Sequence, residues 1–149
     1  MYYILYIKAI MEDYQVKQIY EAEEEWPLFN NGQVLSKDEI TEFVTQISIW
    51  ADIKVPKIIC KDEYHVTDVA LGFEDEIFLP VFSQNPWYIC HEMSHVILYN
   101  WKNVKNDHHG PNFCYVYLTL VAWILGTQFR NELRKLFIKN GVQISNNLV

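Results

Sequence analysis

The chain has 149 residues, a length that suits one compact domain. Half of it is apolar and 15% is aromatic, with only five Gly and five Pro, which excludes a disordered tail, a collagen-like repeat and a low-complexity linker. Its 12 basic and 19 acidic residues give a net charge of −7, the wrong sign for strong non-specific binding to nucleic acid.

The charge is uneven: residues 1–76 hold 16 acids and 6 bases, whereas residues 77–149 hold 3 acids and 6 bases. Any polyanion partner would therefore have to meet the second half. Cys60, Cys90 and Cys114 are too few, and too odd in number, for a disulfide framework. Each sits in an apolar stretch, where a free Cys acts as a small hydrophobe in a reducing compartment.

Residues 1–10 are apolar but far short of the roughly 20 needed to span a bilayer. They lack the leading basic residues, long apolar run and small-residue cleavage site of a signal peptide. The expectation is a soluble cytoplasmic protein. Residues 2–10 suit a strand. Met11 followed by Glu12 and Asp13 reads as an alternative start, so the single domain over 1–149 has residues 1–12 as a candidate extension.

Asp13 is placed to cap a helix running to about Glu25, with Val16, Ile19 and Tyr20 on one face. The run Glu21, Glu23, Glu24 and Glu25 reads as a solvated face of that helix, with a dedicated cation or partner site as the competing reading. Asn30-Asn31-Gly32 is a turn. Ser36 and Glu39 form a capping box that opens a second helix to about Ala51, with Ile40, Phe43, Val44, Ile47 and Trp50 at the 3.6-residue period.

After Pro56 the pattern changes. Lys57–Cys60, Val69–Phe73 and Glu76–Pro80 are short and rich in β-forming residues, which predicts three strands of a small, mainly antiparallel sheet. Pro86 suits the first turn of a third helix, capped by Asn85 or Ser83 and running to about Asn100. Residues 101–110 form a polar loop. Pro111 starts a fourth helix with Phe113, Val116, Tyr117, Leu120, Val121 and Ile124 as its buried stripe, stopped by Gly126. A last helix from about Gln128 to Lys139 carries Arg130, Arg134 and Lys135 on a basic face.

The chemistry sits in His91-Glu92-Met93-Ser94-His95, an H-E-x-x-H pattern that falls inside the third helix. Positions i and i+4 share one helical face, so both imidazoles reach a single Zn²⁺ at about 2.0–2.1 Å. Glu92, next to the first His, is placed to act as a general base on water at the metal without ligating it. Five His and twelve Glu would yield this pattern by chance in about one per cent of shuffled chains. The competing reading is a buried histidine pair satisfied by other partners.

A catalytic zinc needs a third ligand and an open position. The metzincin extension is excluded because Leu98 and Trp101 stand where its Gly and His belong. Glu132 and His108 remain as alternatives, and His109 is favoured. It precedes the Pro111 helix, and Gly110 would permit a backbone turn that aims it back at the metal. Asp107 and Asn112 are candidates to hold the second nitrogen of a ligand histidine, or are ordinary loop and cap residues. Tyr99, Tyr115 and Tyr117 are candidate oxyanion donors or plain core aromatics.

His91-Glu92-Met93-Ser94-His95 followed by His109-Gly110-Pro111-Asn112-Phe113 resembles the SprT/Spartan-type zincins, in which H-E-x-x-H precedes H-G-P-x-F. That resemblance implies His109 as third ligand. Closer still is the similarity to small metallohydrolases of actinobacteria and their phages. There an I-x-L-P strand precedes the metal helix, as Ile77 to Pro80 does here, and a Y-L-x-L-V helix ends in L-G, as Tyr117 to Val121 and Leu125-Gly126 do. Gln18 to Glu23 also resembles that group's opening helix. The match is specific over residues 77–126. No C-x-x-C zinc ribbon is present and no basic DNA-binding region is appended, so action on DNA-linked proteins does not carry over, and the basic last helix alone keeps a nucleic-acid partner open.

The expectation is thus an α+β, zincin-like minimal domain. It would be a zinc metallopeptidase with His91, His95 and His109 on Zn²⁺, Glu92 as general base and a protein or peptide substrate. The alternatives are a zinc hydrolase of a non-peptide substrate and a non-catalytic, zinc-stabilised interaction module. The strand Glu76–Leu79 would offer a sheet edge to an extended peptide.

Overall fold

A computed structural model describes residues 13–30, 33–63 and 68–148. The strand expected at residues 2–10, the alternative start at Met11 and the Asn31-Gly32 part of the first turn lie outside the described residues.

Helix α1 spans Val16–Glu25 and a short α2 spans Pro27–Asn30. Asp13 does not cap α1. Gln15 holds the cap position without a side-chain bond, and Asp13 contributes only its carbonyl, to the Val16 N–H. Helix α3, Lys37–Ala51, opens with the expected capping box: Ser36 Oγ accepts from Glu39 N at 3.2 Å, and Glu39 Oε2 accepts from Ser36 N at 2.8 Å. Its Ile40, Val44 and Ile47 are fully buried, whereas Trp50 at the far end of the stripe is exposed.

The sheet has three strands, β1 (Lys57–Cys60), β2 (Leu71–Gly72) and β3 (Glu76–Leu79), in the order β1-β3-β2. It is mixed rather than mainly antiparallel. β1 pairs with β3 in parallel, with Lys57 opposite Glu76, and β2 pairs with β3 antiparallel, with Gly72 opposite Ile77. The expected strand Val69–Phe73 shrinks to two residues. The expectation for Glu76–Leu79 is also corrected: β3 is the middle strand, and β2 is the outer one that borders the third long helix.

That helix, α4, is Pro86–Asn100. Asn85 Oδ1 accepts from Tyr88 N, and Pro86 occupies the first turn, as its missing N–H allows. Trp87, Ile89, Cys90, Met93, Val96, Ile97 and Leu98 are buried on several sides of it, so α4 runs through the interior. It packs against α3, β2 and β3, and against α5, Pro111–Ile124. Helix α6, Thr127–Lys139, lies on α5 and α1, and buries Leu133 and Phe137. Among the described residues the fold is therefore α+β, with six helices and one small sheet. Among the described residues no helix is long and apolar enough to cross a membrane.

Candidate metal centre

Three histidines from two places in the chain converge. His91 and His95 stand one turn apart on α4, and His109 closes the loop that leads into α5. His109 Nε2 lies 3.1 Å from His95 Nε2 and 3.3 Å from His91 Nε2. Three nitrogens bound at 2.0–2.1 Å to one tetrahedral ion would stand about 3.3 Å apart, so the spacing fits a metal ion. No fourth His, Cys, Asp or Glu among the described residues joins the group.

The other ring nitrogens explain why these atoms face one another. His91 Nδ1 donates to Glu23 Oε2 at 2.8 Å, and His109 Nδ1 donates to Asp13 Oδ2 at 2.8 Å. With Nδ1 protonated in a neutral ring, Nε2 presents a lone pair. The Nε2 atoms of His91 and His109 face each other at 3.3 Å, and either a proton or a metal ion between them satisfies both. Each carboxylate thus fixes a tautomer, fixes a ring and adds negative charge behind a ligand.

Both carboxylates are held in turn. Glu23 is buried on α1 and also accepts from the Tyr117 hydroxyl at 2.8 Å. Asp13 accepts the His109 backbone N–H through Oδ1 at 3.2 Å. The buried Gln15 carboxamide donates to the His109 carbonyl and to the Gln143 carbonyl, tying the loop to the C-terminal segment.

The local electrostatics follow. Burial opposes charge on His91, but Glu23, with help from Glu92 and Asp13, outweighs it and raises the ring to about 9. Burial and the neighbouring His109 and His91 push His95 well down. His109 is also lowered by burial, against its hydrogen bond to the Asp13 carboxylate. His95 and His109 are thus held toward the neutral form, in which an imidazole nitrogen can ligate a metal ion, while the Glu23 carboxylate favours positive charge at His91.

Glu92 is buried, with Oε1 4.0 Å from His91 Nε2. It belongs to no three-residue ligand group. Burial raises it to about 7, with Glu23 adding to the rise and His91 opposing it.

The loop geometry differs from expectation in its cause. Gly110 has φ −77° and ψ −170°, which any residue adopts. Its missing side chain matters instead, because a Cβ there would fall 2.6 Å from the Asp107 carboxylate. Asp107 uses that space to accept from Asn112 N at 2.7 Å and Phe113 N at 3.1 Å, so it caps α5 and does not orient a ligand. Asn112 donates to the Lys105 carbonyl and likewise serves the loop. The left-handed residue is His108, at φ 59°, and its ring is outside the cluster. Glu132 accepts from Gln128 on the exposed face of α6.

The orienting residues were misassigned by pattern: Asp13 as a helix cap and Glu23 as part of a solvated face. A signal for Glu23 exists, since Ile19, Ala22, Glu23 and Trp26 fall at i, i+3, i+4 and i+7, and all four are buried. Of the tyrosines considered, Tyr117 spends its hydroxyl on Glu23, and Tyr99 is exposed against Phe73. Tyr115 is partly exposed and belongs to no part of the cluster. The Tyr117 ring lies 5.2 Å from that of His91, and a further tyrosine, Tyr20, has its ring centroid 5.5 Å from that of His109 and 6.2 Å from that of His91.

Gly72 brings the sheet to the site. A Cβ at Gly72 would collide with the Glu92 carbonyl oxygen and come within 3.3 Å of His95 Cβ. The outer strand therefore lies directly on the metal-ligand face of α4.

No protein family, curated protein or solved structure matches this chain.

Proposed function

We propose that the protein is a zinc-dependent peptidase related to the SprT-type zincins. The observation that carries this reading is the convergence of three Nε2 atoms, two of whose rings are backed by carboxylates, beside a buried carboxylate outside that group, Glu92. Histidine ligation through three imidazoles, with a position left open, is the donor set of catalytic zinc. A zinc ion there supplies Lewis acidity for a scissile carbonyl and lowers the pKa of water to about 7.

The chain's own residues do the rest. Glu92 accepts the proton of the attacking water as its oxygen bonds to the carbonyl carbon. It returns that proton to the amine nitrogen as the C–N bond breaks. Glu23 and Asp13 keep the two ligand rings in the tautomer that leaves Nε2 free. A structural zinc site needs no base and closes its fourth position, so Glu92 and the three-histidine set speak against a purely structural role. Outer strand β2, packed on α4, supports a peptide substrate, since an extended chain can add to a sheet edge by backbone pairing.

The test is metal analysis followed by peptide hydrolysis. The expected result is one zinc per chain, and in Glu92→Gln the same zinc content with hydrolysis reduced about 10²- to 10⁴-fold. Unchanged hydrolysis in Glu92→Gln, or no zinc after loading, rejects the reading.

A further inference from the structure

Beside the histidine cluster lies a cleft of about 280 Å³, with His91 and Glu92 in its lining. This is below the roughly 300–1,000 Å³ of pockets for drug-sized ligands, and suits one long side chain. Four aromatic residues form its walls: Tyr20 from α1, Phe29 from α2, Tyr88 from α4 and Phe82 from the turn Val81–Ser83. Tyr88 connects them, with ring centroids 5.7 Å from Phe29 and 5.6 Å from Phe82.

The cleft is also acidic. Glu23 and Glu24 line it with Glu92, and no Lys or Arg among the described residues does. Glu23 is committed to His91 and Tyr117. Glu24 is exposed and has no hydrogen-bond or ion-pair partner among the described residues.

We propose that this cleft is a specificity pocket for a lysine or arginine side chain next to the scissile bond. The proposal rests on the peptidase reading above. Aromatic walls alone would accept either a ring or a cation, and charge decides between them. Glu23 and Glu24 face the cleft with no basic side chain among its described lining residues, and Glu24, exposed and without a partner among the described residues, supplies the charge that selects a cation. Ring faces attract the same charge through their quadrupoles. A basic side chain lays its methylene stem along the rings and brings its head to Glu24. A neutral side chain gains only the apolar part, and an acidic one meets like charge.

The test uses the full-length, zinc-loaded protein and a peptide library with one varied position on either side of the cut. Lys or Arg at one fixed position should exceed norleucine at least tenfold in kcat/KM. Glu24→Gln, a change at an exposed site that the fold tolerates, should shrink that ratio to about threefold or less. A ratio near one in the parent protein, or an unchanged ratio in E24Q, overturns the pocket while leaving the peptidase reading intact.

A binding arm separates the two ideas when nothing is cleaved. Titration calorimetry compares Nα-acetyl-arginine amide with Nα-acetyl-norleucine amide on the same protein. At least tenfold tighter binding of the arginine amide, lost in E24Q, keeps the pocket even where hydrolysis is absent and the peptidase reading falls. Equal binding of the two amides overturns it.

Discussion

Glu23 Oε2 lies 2.8 Å from His91 Nδ1, across 68 residues of sequence. The same oxygen accepts from the buried Tyr117 hydroxyl at 2.8 Å, so one carboxylate couples α1, α4 and α5 at the metal-ligand face. Replacing it with glutamine keeps an acceptor and removes the charge. Glu23→Gln should weaken zinc binding about 10- to 100-fold, read by chelator competition. Glu23→Ala should also lower stability by about 1–3 kcal/mol in denaturant unfolding, because the Tyr117 hydroxyl loses its partner inside the protein. Zinc affinity unchanged in both variants would remove Glu23 from the site.

Asp13 and Asp107 both bond to the segment 109–113 and differ in role. Asp13 holds the ring and backbone of His109, whereas Asp107 holds the first N–H groups of α5. Asp13→Asn should cost about 10- to 100-fold in zinc affinity. Asp107→Ala removes a helix cap and should cost about 1 kcal/mol or more of stability, with the smaller effect on zinc. The pair of measurements is decisive because exchanged outcomes would reverse the two assignments.

Local pattern made much of this legible. The capping box at Ser36 and Glu39, the Asn85-Pro86 start of α4, the Pro111 start of α5 and the i, i+4 histidines all depend on neighbours within one turn. The orienting carboxylates were hidden for the opposite reason. Asp13 meets His109 across 96 residues, and no local rule links them. Glu23 sat in a run whose other members, Glu21, Glu24 and Glu25, are indeed exposed, and the charge run masked its place on the apolar stripe. Strand direction was equally out of reach. β1 and β3 are joined through the intervening β2 rather than by a hairpin, so nothing local fixes them as parallel. The three-histidine cluster was read from spacing, but its closure needed the loop turned by His108 and Asp107.

Gly72 tests the contact between sheet and metal helix. Because a Cβ there would enter the Glu92 carbonyl, Gly72→Ala must push β2 off α4 or shift α4 itself. Overpacking of this kind costs about 1–3 kcal/mol. The expected outcome is a lower unfolding midpoint together with weaker zinc binding, since Glu92 and His95 are the residues displaced. A Gly72→Ala protein with unchanged stability would show that the strand is free to move away from the helix.

His108 is the residue whose neighbour is a ligand while it is not. Its φ of 59° places a non-glycine residue in the left-handed region, a conformation that glycine adopts readily and asparagine tolerates. The turn is held by Gly110 N donating to the Asp107 carbonyl at 2.9 Å and by His108 N donating to Asn106 Oδ1 at 3.1 Å, so the strain persists. His108→Gly and His108→Asn should relieve it and raise stability by about 1 kcal/mol, which for a chain of this size is roughly 2–4 °C in Tm. Zinc content should stay at one per chain, because the His108 ring is not among the three that converge. Loss of zinc in His108→Gly, with retention in His109→Ala, would transfer the third ligand from His109 to His108 and undo the geometry on which the hydrolytic reading depends.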